Sequence, residues 1–449
     1  MAETLTSPAA PPPRNVALDN LRVVAMLLGL VTHGVLPYTA TGIARYPIRD
    51  SSRHVGADAA YFAVHDFRMQ LFFLLAGFAA AALAARRGTA ALVRNRLARV
   101  ALPLALAAAV VCPLMHLLFG HHTAARGLDW EPSERGGWVG PNFHLWFLYY
   151  LLLCCTPVVL LMALAPRIPG VVVRGLDAGA RRLLASRWKI PLLAAAVVPV
   201  LWDMHTWWID SPGGWAPDFT VYVYYLGFFV AGAVLHRHQD LLAGVGKNWA
   251  AQLLFANFVV LPLMLKLTIA GNWREEAIPG DLPAWLVGWK ACAIFLGGLY
   301  TWTMIAALLG LFRRHFAAGG GAWQYLAESS YWCYLAGFPL QTALQIWLAP
   351  HRLPILAEFA FVNALTFGCL LLSYELLVRH SWLGLMLNGK RPARAAATPV
   401  VLVARVPAPL PRPECAASAE ASRRMGNGGR APGDEAASRG RPAVGTAGV

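Results

Sequence analysis

The first apolar segment of the chain, residues 16–38, carries ionisable side chains where hydrophobic residues dominate. Asp19 and Arg22 stand near its start and His33 lies deep inside it. Ionisable groups inside a membrane are costly, and they mark functional sites by default. A neutral histidine near pH 7 can accept a proton from a hydroxyl group, which is the step that acyl transfer to an alcohol requires. The segment therefore predicts a site of proton chemistry.

Helical geometry separates these groups in depth but keeps two of them on one face. Arg22 and His33 are eleven residues apart in the sequence. Eleven residues are close to three turns, so the two side chains point in roughly the same direction. Relative to Asp19, His33 lies roughly 21 Å further along a helix that rises about 1.5 Å per residue. If this helix starts in the cytoplasm, Arg22 lies near the inner boundary and His33 in the outer half of the bilayer.

Two further apolar segments bring polar residues to the outer level. Asp66 and Arg68 lie near the start of the second segment, and His144 and Trp146 begin the fourth. We expect the outer half to gather these side chains around His33, with Asp66 as a catalytic carboxylate that orients the imidazole. Arg68, His144 and Trp146 are candidate substrate-binding residues. For each histidine a hydrogen bond between packed helices remains the alternative.

A pair of arginines predicts a second site on the cytoplasmic side. Arg96 and Arg99 are three residues apart, so on a helix they share a face. Arginine binds phosphate groups in a bidentate manner, and such a pair suits a phosphorylated cofactor or donor. Anchoring of a helix end by positive charge explains the same two residues, so the spacing leaves both interpretations open.

The elements that position these residues are membrane-spanning helices. The chain has 449 residues, of which 57% are hydrophobic and 14% charged, and its mean hydropathy is +0.50. A helix needs about 20 residues to cross a hydrocarbon core of roughly 30 Å. Segments of this kind lie at about 16–38, 60–85, 98–120, 142–165, 190–206, 219–237, 248–271, 284–312, 325–349 and 354–378. The sequence therefore predicts an all-α polytopic membrane protein, a bundle of about ten transmembrane helices.

The distribution of basic residues predicts the orientation of the bundle. Arginines crowd the second and fourth loops, whereas the third loop mixes both charges and the fifth has no basic residue. By the positive-inside rule the even loops and both termini are cytoplasmic. The net charge of +15 then reflects topology, and we expect no nucleic-acid partner. The Pro-rich residues 1–15 and the basic, Ala-, Pro- and Gly-rich residues 391–449 are expected to be disordered tails around a transmembrane domain, residues 16–390.

Several motifs resemble those of the membrane acyltransferase-3 family, and they occur in the same order. They are Leu18-Asp19-Asn20-Leu21-Arg22 followed by His33, the run FRMQLFFLLAGF at residues 67–78, Arg96-x-x-Arg99 followed by Pro103, His144-Leu145-Trp146-Phe147-Leu148, and Tyr374-Glu375-Leu376-Leu377-Val378-Arg379. The last two are similar to the branch whose members succinylate periplasmic glucans. The resemblance spans about residues 16–390.

The resemblance implies transfer of an acyl group from cytoplasmic acyl-CoA to a hydroxyl group of an extracytoplasmic glycan. His33 would be the catalytic residue together with Arg22, and Arg96 and Arg99 would hold the donor. It implies a multi-pass protein of the bacterial inner membrane, with the lipid bilayer and envelope glycan synthesis proteins as partners. Acyl-CoA is then a substrate, and we expect no permanently bound cofactor. The seven cysteines have neither metal-ligand nor disulfide spacing, so we expect no metal site.

Two positions depart from the family pattern. Ala76 stands where the family commonly has serine, and Gly337 stands where a second histidine is usual. His33, assisted by His144, would then carry the proton chemistry. An inactive or repurposed member is one alternative, and whether His33 acts as base or nucleophile stays open.

Two other classes of function fit the composition. In a proton-coupled transporter or permease, buried ionisable residues would form a pathway: Arg22, His33, Lys266, Lys290, Glu328 and Glu358. No internal repeat relates the two halves of the sequence, as it often does in transporters. A non-catalytic subunit of a glycan assembly machine would fit the two departures. Our leading hypothesis is an O-acyltransferase, with succinyl favoured over acetyl and Arg68 as the partner of the succinyl carboxylate.

Overall fold

A computed structural model describes most of the predicted transmembrane domain. It covers residues 15–41, 46–50, 52–127, 141–164, 167–204, 206–209, 211–277, 283–351 and 353–389. Helices and connecting turns make up these ranges, and no β-strand occurs within them. The predicted all-α class is therefore confirmed. Apart from Asn15, the two predicted tails lie outside the described residues, and the domain boundaries stay a prediction.

The described residues form thirteen α-helices. In chain order they are α1 Val16–Val35, α2 Val55–Arg96, α3 Leu102–Ala124, α4 Trp146–Leu164, α5 Gly170–Ala185, α6 Lys189–Val200, α7 Phe219–Arg237, α8 Trp249–Phe255, α9 Leu261–Ala277, α10 Ala284–His315, α11 Gly321–Leu348, α12 Ile355–Ser373 and α13 Trp382–Asn388. Short π-helical turns at Leu97–Ala101 and Ala256–Val260 join α2 to α3 and α8 to α9, and a third, Tyr374–Val378, follows α12.

Many of these helices are long and apolar enough to cross a membrane. In the described ranges seven helical runs meet that condition, or eight if α5 and α6, bent by 116° at their junction, form one broken span. One run, Val55–Ala124, contains two of the segments predicted from the sequence, and Gly88 interrupts its α2 part with a φ of 78°. The protein is polytopic. The number ten and the cytoplasmic termini stay predictions.

Helix α1 is capped at its start and held by neighbouring helices. At its start, Oδ1 of Asn15 accepts a hydrogen bond from the backbone N–H of Leu18 at 3.4 Å and caps the helix. The side chain of Asn20 donates to the carbonyls of Phe316 and Ala318 just after α10, at 2.9 and 3.3 Å. Further along, α1 packs against α2, α10, α11 and α12. The helix that carries Arg22 and His33 is thus fixed by its neighbours.

Helices α2 and α7 approach each other closely through two glycines. A Cβ atom at Gly77 would overlap the carbonyl of Phe229, and a Cβ atom at Gly232 would overlap the carbonyl of Leu74. Small residues allow this approach between backbones in a membrane, where van der Waals packing holds helices together. The contact fixes the part of α2 that contains Arg68.

We predict that Gly77→Ala destabilises the protein by about 1–3 kcal/mol, because the added methyl group forces α2 and α7 apart. Thermal unfolding in detergent measures the change. Gly227→Ala is the matched control, since a Cβ atom at that exposed position in α7 meets no atom within 4 Å. Alanine favours a helix over glycine, so the control should be neutral or stabilising. Equal destabilisation by both variants would contradict the close contact.

Candidate active site

Two cavities lie along α1. The first, of about 530 Å³, we call the histidine cavity, and its lining includes His33, His65, Arg68, His144 and Trp146. The second, of about 450 Å³, we call the arginine cavity, and its lining includes Asp19, Arg22, Arg96, Arg99 and Glu328. Arg22 and His33 thus open into different cavities from one helix, roughly 16 Å apart along its axis at about 1.5 Å per residue.

The two cavities adjoin at a shared wall. Four side chains, Met26, Phe72, Phe147 and Tyr334, line both of them, and we call these four residues the partition. Met26 lies one turn after Arg22 on α1, on the face that both cavities share. Three of the four side chains are apolar, and the fourth presents a phenol. The partition is therefore a narrow, mainly hydrophobic boundary between the arginines and the histidines.

His33 is held in the histidine cavity by helix α11. Its ring packs against Phe338 with the ring centroids 4.5 Å apart. Its backbone carbonyl accepts a hydrogen bond from Nε2 of Gln345 at 3.1 Å. The ring nitrogen Nδ1 is buried and has no hydrogen-bond partner in the described part of the chain. Packing rather than a carboxylate therefore orients this imidazole.

Arg68 is a buried cation in the same cavity. Only 9% of its surface is exposed, and within the described ranges it forms no ion pair and its Nε has no hydrogen-bond partner. Its guanidinium group reaches α1 at Gly29, where a Cβ atom would overlap Nη1. Burial of a charge without a counter-ion is strongly unfavourable. The arrangement suits an anionic group that enters the cavity from outside.

His65 also lines the histidine cavity, although the sequence analysis did not select it as a site residue. Its Nε2 lies 3.2 Å from the carbonyl of Ile209, and its ring stacks on Tyr61 at 4.8 Å. Residues three apart share a helix face, so the spacing between His65 and Arg68 in the sequence could have indicated that both line the same cavity. Trp146, which the sequence did select, is buried in the cavity wall and packs against Tyr225 at 5.3 Å.

Asp66 does not line the histidine cavity, so the geometry does not bring it to His33. It faces a separate cavity of about 20 Å³ beside Tyr224 and Thr301, where its Oδ1 has no partner among the described residues. The reason is helical geometry, because successive residues of a helix point about 100° apart. His65 and Arg68 turn towards α1 and the cavity, and Asp66 turns towards α7 and α10. This is a correction to the expected pairing.

The arginine cavity is built around a π-helical turn. Arg96 ends α2 and Arg99 lies within the turn Leu97–Ala101, an element often found at functional sites. The hydroxyl of Tyr331 donates to the carbonyl of Arg99 at 2.9 Å, and the guanidinium of Arg99 lies against the backbone of Gly389. Nε of Arg96 is buried without a partner in the described ranges. Three guanidinium groups, counting that of Arg22, converge on this cavity.

Other ionisable residues that a transport pathway would use lie apart from the two cavities. Lys290 is buried and pairs with Glu275 at 3.1 Å. Glu358 is buried in α12, and Lys266 is exposed on α9. None of these side chains lines the histidine or the arginine cavity in the described part of the protein. The histidine cavity gathers imidazoles, and the arginine cavity gathers guanidinium groups together with the carboxylates of Asp19 and Glu328.

Comparisons with known proteins match this chain over most of its length. A protein-family model described as an acyltransferase domain matches residues 15–378. Glucans biosynthesis protein C of Salmonella gallinarum is 23% identical over 393 residues, which cover 86% of this chain and 97% of the relative. Glucans biosynthesis protein C of Salmonella schwarzengrund is 24% identical over 400 residues with the same coverage. No solved structure gives a significant match.

Proposed function

Because this chain belongs to the membrane acyltransferase-3 family and is an acyltransferase, we propose that it transfers a succinyl group from succinyl-CoA to a hydroxyl group of a periplasmic glucan. The observation that carries this proposal is the pair of adjoining cavities, one lined by guanidinium groups and one by imidazoles. Guanidinium groups suit the phosphates of coenzyme A, and a neutral imidazole suits proton transfer from a hydroxyl group. The name of its relatives supports a glucan as the acceptor.

We infer that the arginine cavity opens to the cytoplasm of a bacterial inner membrane. Acyl-CoA is a cytoplasmic metabolite, and the arginines Arg86, Arg87 and Arg94 near the end of α2 favour a cytoplasmic position by the positive-inside rule. The histidine cavity then faces the periplasm, where a glucan and other envelope glycan synthesis proteins would be encountered. The thioester end of the donor passes the partition to reach His33.

At His33 the reaction requires two proton transfers and one acyl transfer. The imidazole takes the proton of the glucan hydroxyl, the oxygen attacks the thioester carbonyl, and the C–S bond breaks. The proton then passes to the thiolate of coenzyme A, which leaves as the thiol. A transient acyl-imidazole on His33 is the alternative route with the same products, and the ring is available for either because Nδ1 has no partner in the described part of the chain.

Arg68 supports a dicarboxylic acyl group. A succinyl group carries a free carboxylate at its far end, and an acetyl group carries none. The buried guanidinium of Arg68, beside His33 and without an ion pair in the described ranges, is a suitable partner for that carboxylate. A bidentate pair would compensate both charges. This residue would therefore set the preference for succinyl over acetyl.

Transfer of labelled acyl groups tests the proposed function directly. Purified protein should transfer radiolabelled succinyl groups from succinyl-CoA to a gluco-oligosaccharide, and His33→Gln should reduce the rate by about 10²–10⁴-fold, the usual contribution of a general base. His116→Gln is the control, because His116 is exposed on α3 and lines neither cavity. No transfer by the wild-type protein, or equal transfer by both variants, would count against the proposal.

Arg68→Ala should change the choice of donor. Loss of a charge-assisted hydrogen bond of about 1.5–3 kcal/mol predicts a loss of succinyl transfer of roughly 10-fold to 100-fold, with a smaller loss of acetyl transfer. Initial rates with succinyl-CoA and acetyl-CoA measure the ratio. Arg94→Ala, an exposed arginine of the same helix that lines neither cavity, should leave the ratio unchanged. Equal losses with both donors in Arg68→Ala would remove this role.

Arg99→Ala should weaken donor binding alone. We expect the KM for acyl-CoA to rise about 10-fold, since a phosphate contact of roughly 1.4 kcal/mol is lost, while the KM for the oligosaccharide stays constant. Arg87→Ala, on the exposed surface of α2, serves as the control for lost positive charge. An equal rise in both KM values would indicate general disruption and would contradict a donor site at the arginine cavity.

A further inference from the structure

His144 is fixed by two consecutive residues of α11. Its Nε2 lies 3.2 Å from the backbone carbonyl of Leu335, and its own carbonyl accepts a hydrogen bond from the hydroxyl of Tyr334 at 2.6 Å. A carbonyl oxygen can only accept, so Nε2 must carry the proton that it donates. In the neutral ring the other nitrogen, Nδ1, then holds a lone pair. The contact with Leu335 selects one tautomer of His144.

Pro339 makes the carbonyl of Leu335 available to His144. In a regular α-helix the backbone N–H of residue 339 would donate to the carbonyl of residue 335, four positions earlier. Proline has no N–H group, so this carbonyl loses its partner within α11. The imidazole of His144 takes the vacant place. A proline in one helix thereby determines which nitrogen of a histidine at the start of another helix is unprotonated.

The backbone before His144 is strained. Phe143 has a φ of 46°, in the left-handed region that bulky residues rarely adopt. Asn142 holds this conformation, because its side chain donates to the carbonyl of Gly214 at 2.7 Å and its carbonyl accepts from the N–H of Leu145 at 2.9 Å. Strain of this kind is unfavourable and clusters at functional sites. It is stored here at the residue that precedes His144.

The unprotonated nitrogen of His144 has no hydrogen-bond partner among the described residues. The residue is 7% exposed and lines the histidine cavity, and Nδ1 is buried without a hydrogen bond in the described ranges. The ring packs against Phe338 at 5.2 Å, and Phe338 also packs against His33. An unsatisfied buried acceptor is unfavourable, so the site lacks a donor. A hydroxyl group of a ligand beside His33 would supply it.

We propose that Nδ1 of His144 accepts a hydrogen bond from a hydroxyl group of the glycan acceptor, in a tautomer fixed by the Leu335 carbonyl that Pro339 releases. This inference rests on the proposed function, because it assumes a polyhydroxyl acceptor in the histidine cavity. The hydroxyl bound by His144 is a neighbour of the one that is acylated. His144 therefore sets the affinity and position of the acceptor, and Pro339 is a positioning residue that acts through it.

His144→Gln tests the lone pair without removing the contact with α11. The glutamine amide N–H can still reach the Leu335 carbonyl, but no acceptor remains where Nδ1 was. We expect the KM for the gluco-oligosaccharide to rise about 10-fold or more, with kcat and the KM for acyl-CoA within about twofold, since about 1.4 kcal/mol of binding is a factor of ten. A fall in kcat with unchanged KM values would overturn the proposal.

Pro339→Ala tests the origin of the tautomer. The alanine N–H competes for the Leu335 carbonyl, so the acceptor KM should rise while the melting temperature stays the same or increases. If Pro339 served only the fold, its replacement would not raise the acceptor KM while the melting temperature stayed the same or increased. Pro113→Ala is the matched control, because Pro113 lies inside α3, is exposed and lines neither cavity. It should leave the acceptor KM unchanged.

Nitrogen NMR of the full chain in nanodiscs provides a readout that does not depend on turnover. With ¹⁵N-labelled histidine, the signal that disappears in His144→Gln should report a protonated Nε2 and an unprotonated Nδ1. Added gluco-oligosaccharide should shift the Nδ1 signal, and Pro339→Ala should mix the tautomers. A protonated Nδ1, or no shift with saccharide, would overturn the inference. If the NMR result is as expected but the wild-type protein transfers no acyl group, the proposed function fails while the inference about His144 stands.

Discussion

Much of this structure is arranged around a guanidinium group that is buried between membrane helices and has no carboxylate partner among the described residues. Arg68 occupies that position, and the absence of a side chain at Gly29 leaves room for it against α1. Removal of this charge from water costs free energy, which the packing of the helices around it has to offset. The close contact of α2 with α7 through Gly77 and Gly232 is part of that packing. An anionic ligand group bound beside Arg68 would remove this cost.

Helix α1 runs past both cavities and places them in series. Arg22 and His33 lie on one face of α1 at different heights, and the partition at Met26, Phe72, Phe147 and Tyr334 lies between them. A phosphorylated donor and a polyhydroxyl acceptor can therefore be bound in separate environments while the reacting groups meet at one wall. Tyr334 belongs to both environments, since its hydroxyl also binds the backbone of His144. The two cavities differ in lining, so one suits the donor and the other suits the acceptor within a single domain.

Periodicity made part of this arrangement predictable. The all-α class, and the positions of Arg22 and His33 on one helix face, follow from hydropathy and from 3.6 residues per turn. The side of α2 that faces the cavity does not follow from periodicity, because it depends on which helices pack around it. For that reason the sequence selected both Asp66 and Arg68, whereas Arg68 lines the cavity together with His65 and Asp66 does not.

Tertiary contacts determined what the sequence did not indicate. The link from Pro339 through Leu335 to His144 joins residues almost two hundred positions apart, and the left-handed backbone at Phe143 has no glycine to mark it. Hydropathy also predicts a loop between the segments 60–85 and 98–120. The run Val55–Ala124 instead continues through a π-helical turn, which brings Arg99 into the arginine cavity.

Mass spectrometry of envelope glycans tests whether this chain succinylates a glucan through His33. The measurement compares a deletion strain with the same strain complemented by the wild-type chain or by His33→Ala at equal membrane abundance. We predict that an ester-linked succinyl mass disappears from the periplasmic glucans in the deletion strain and returns only with the wild-type chain. Unchanged acylation in all strains, or full restoration by His33→Ala, would contradict it.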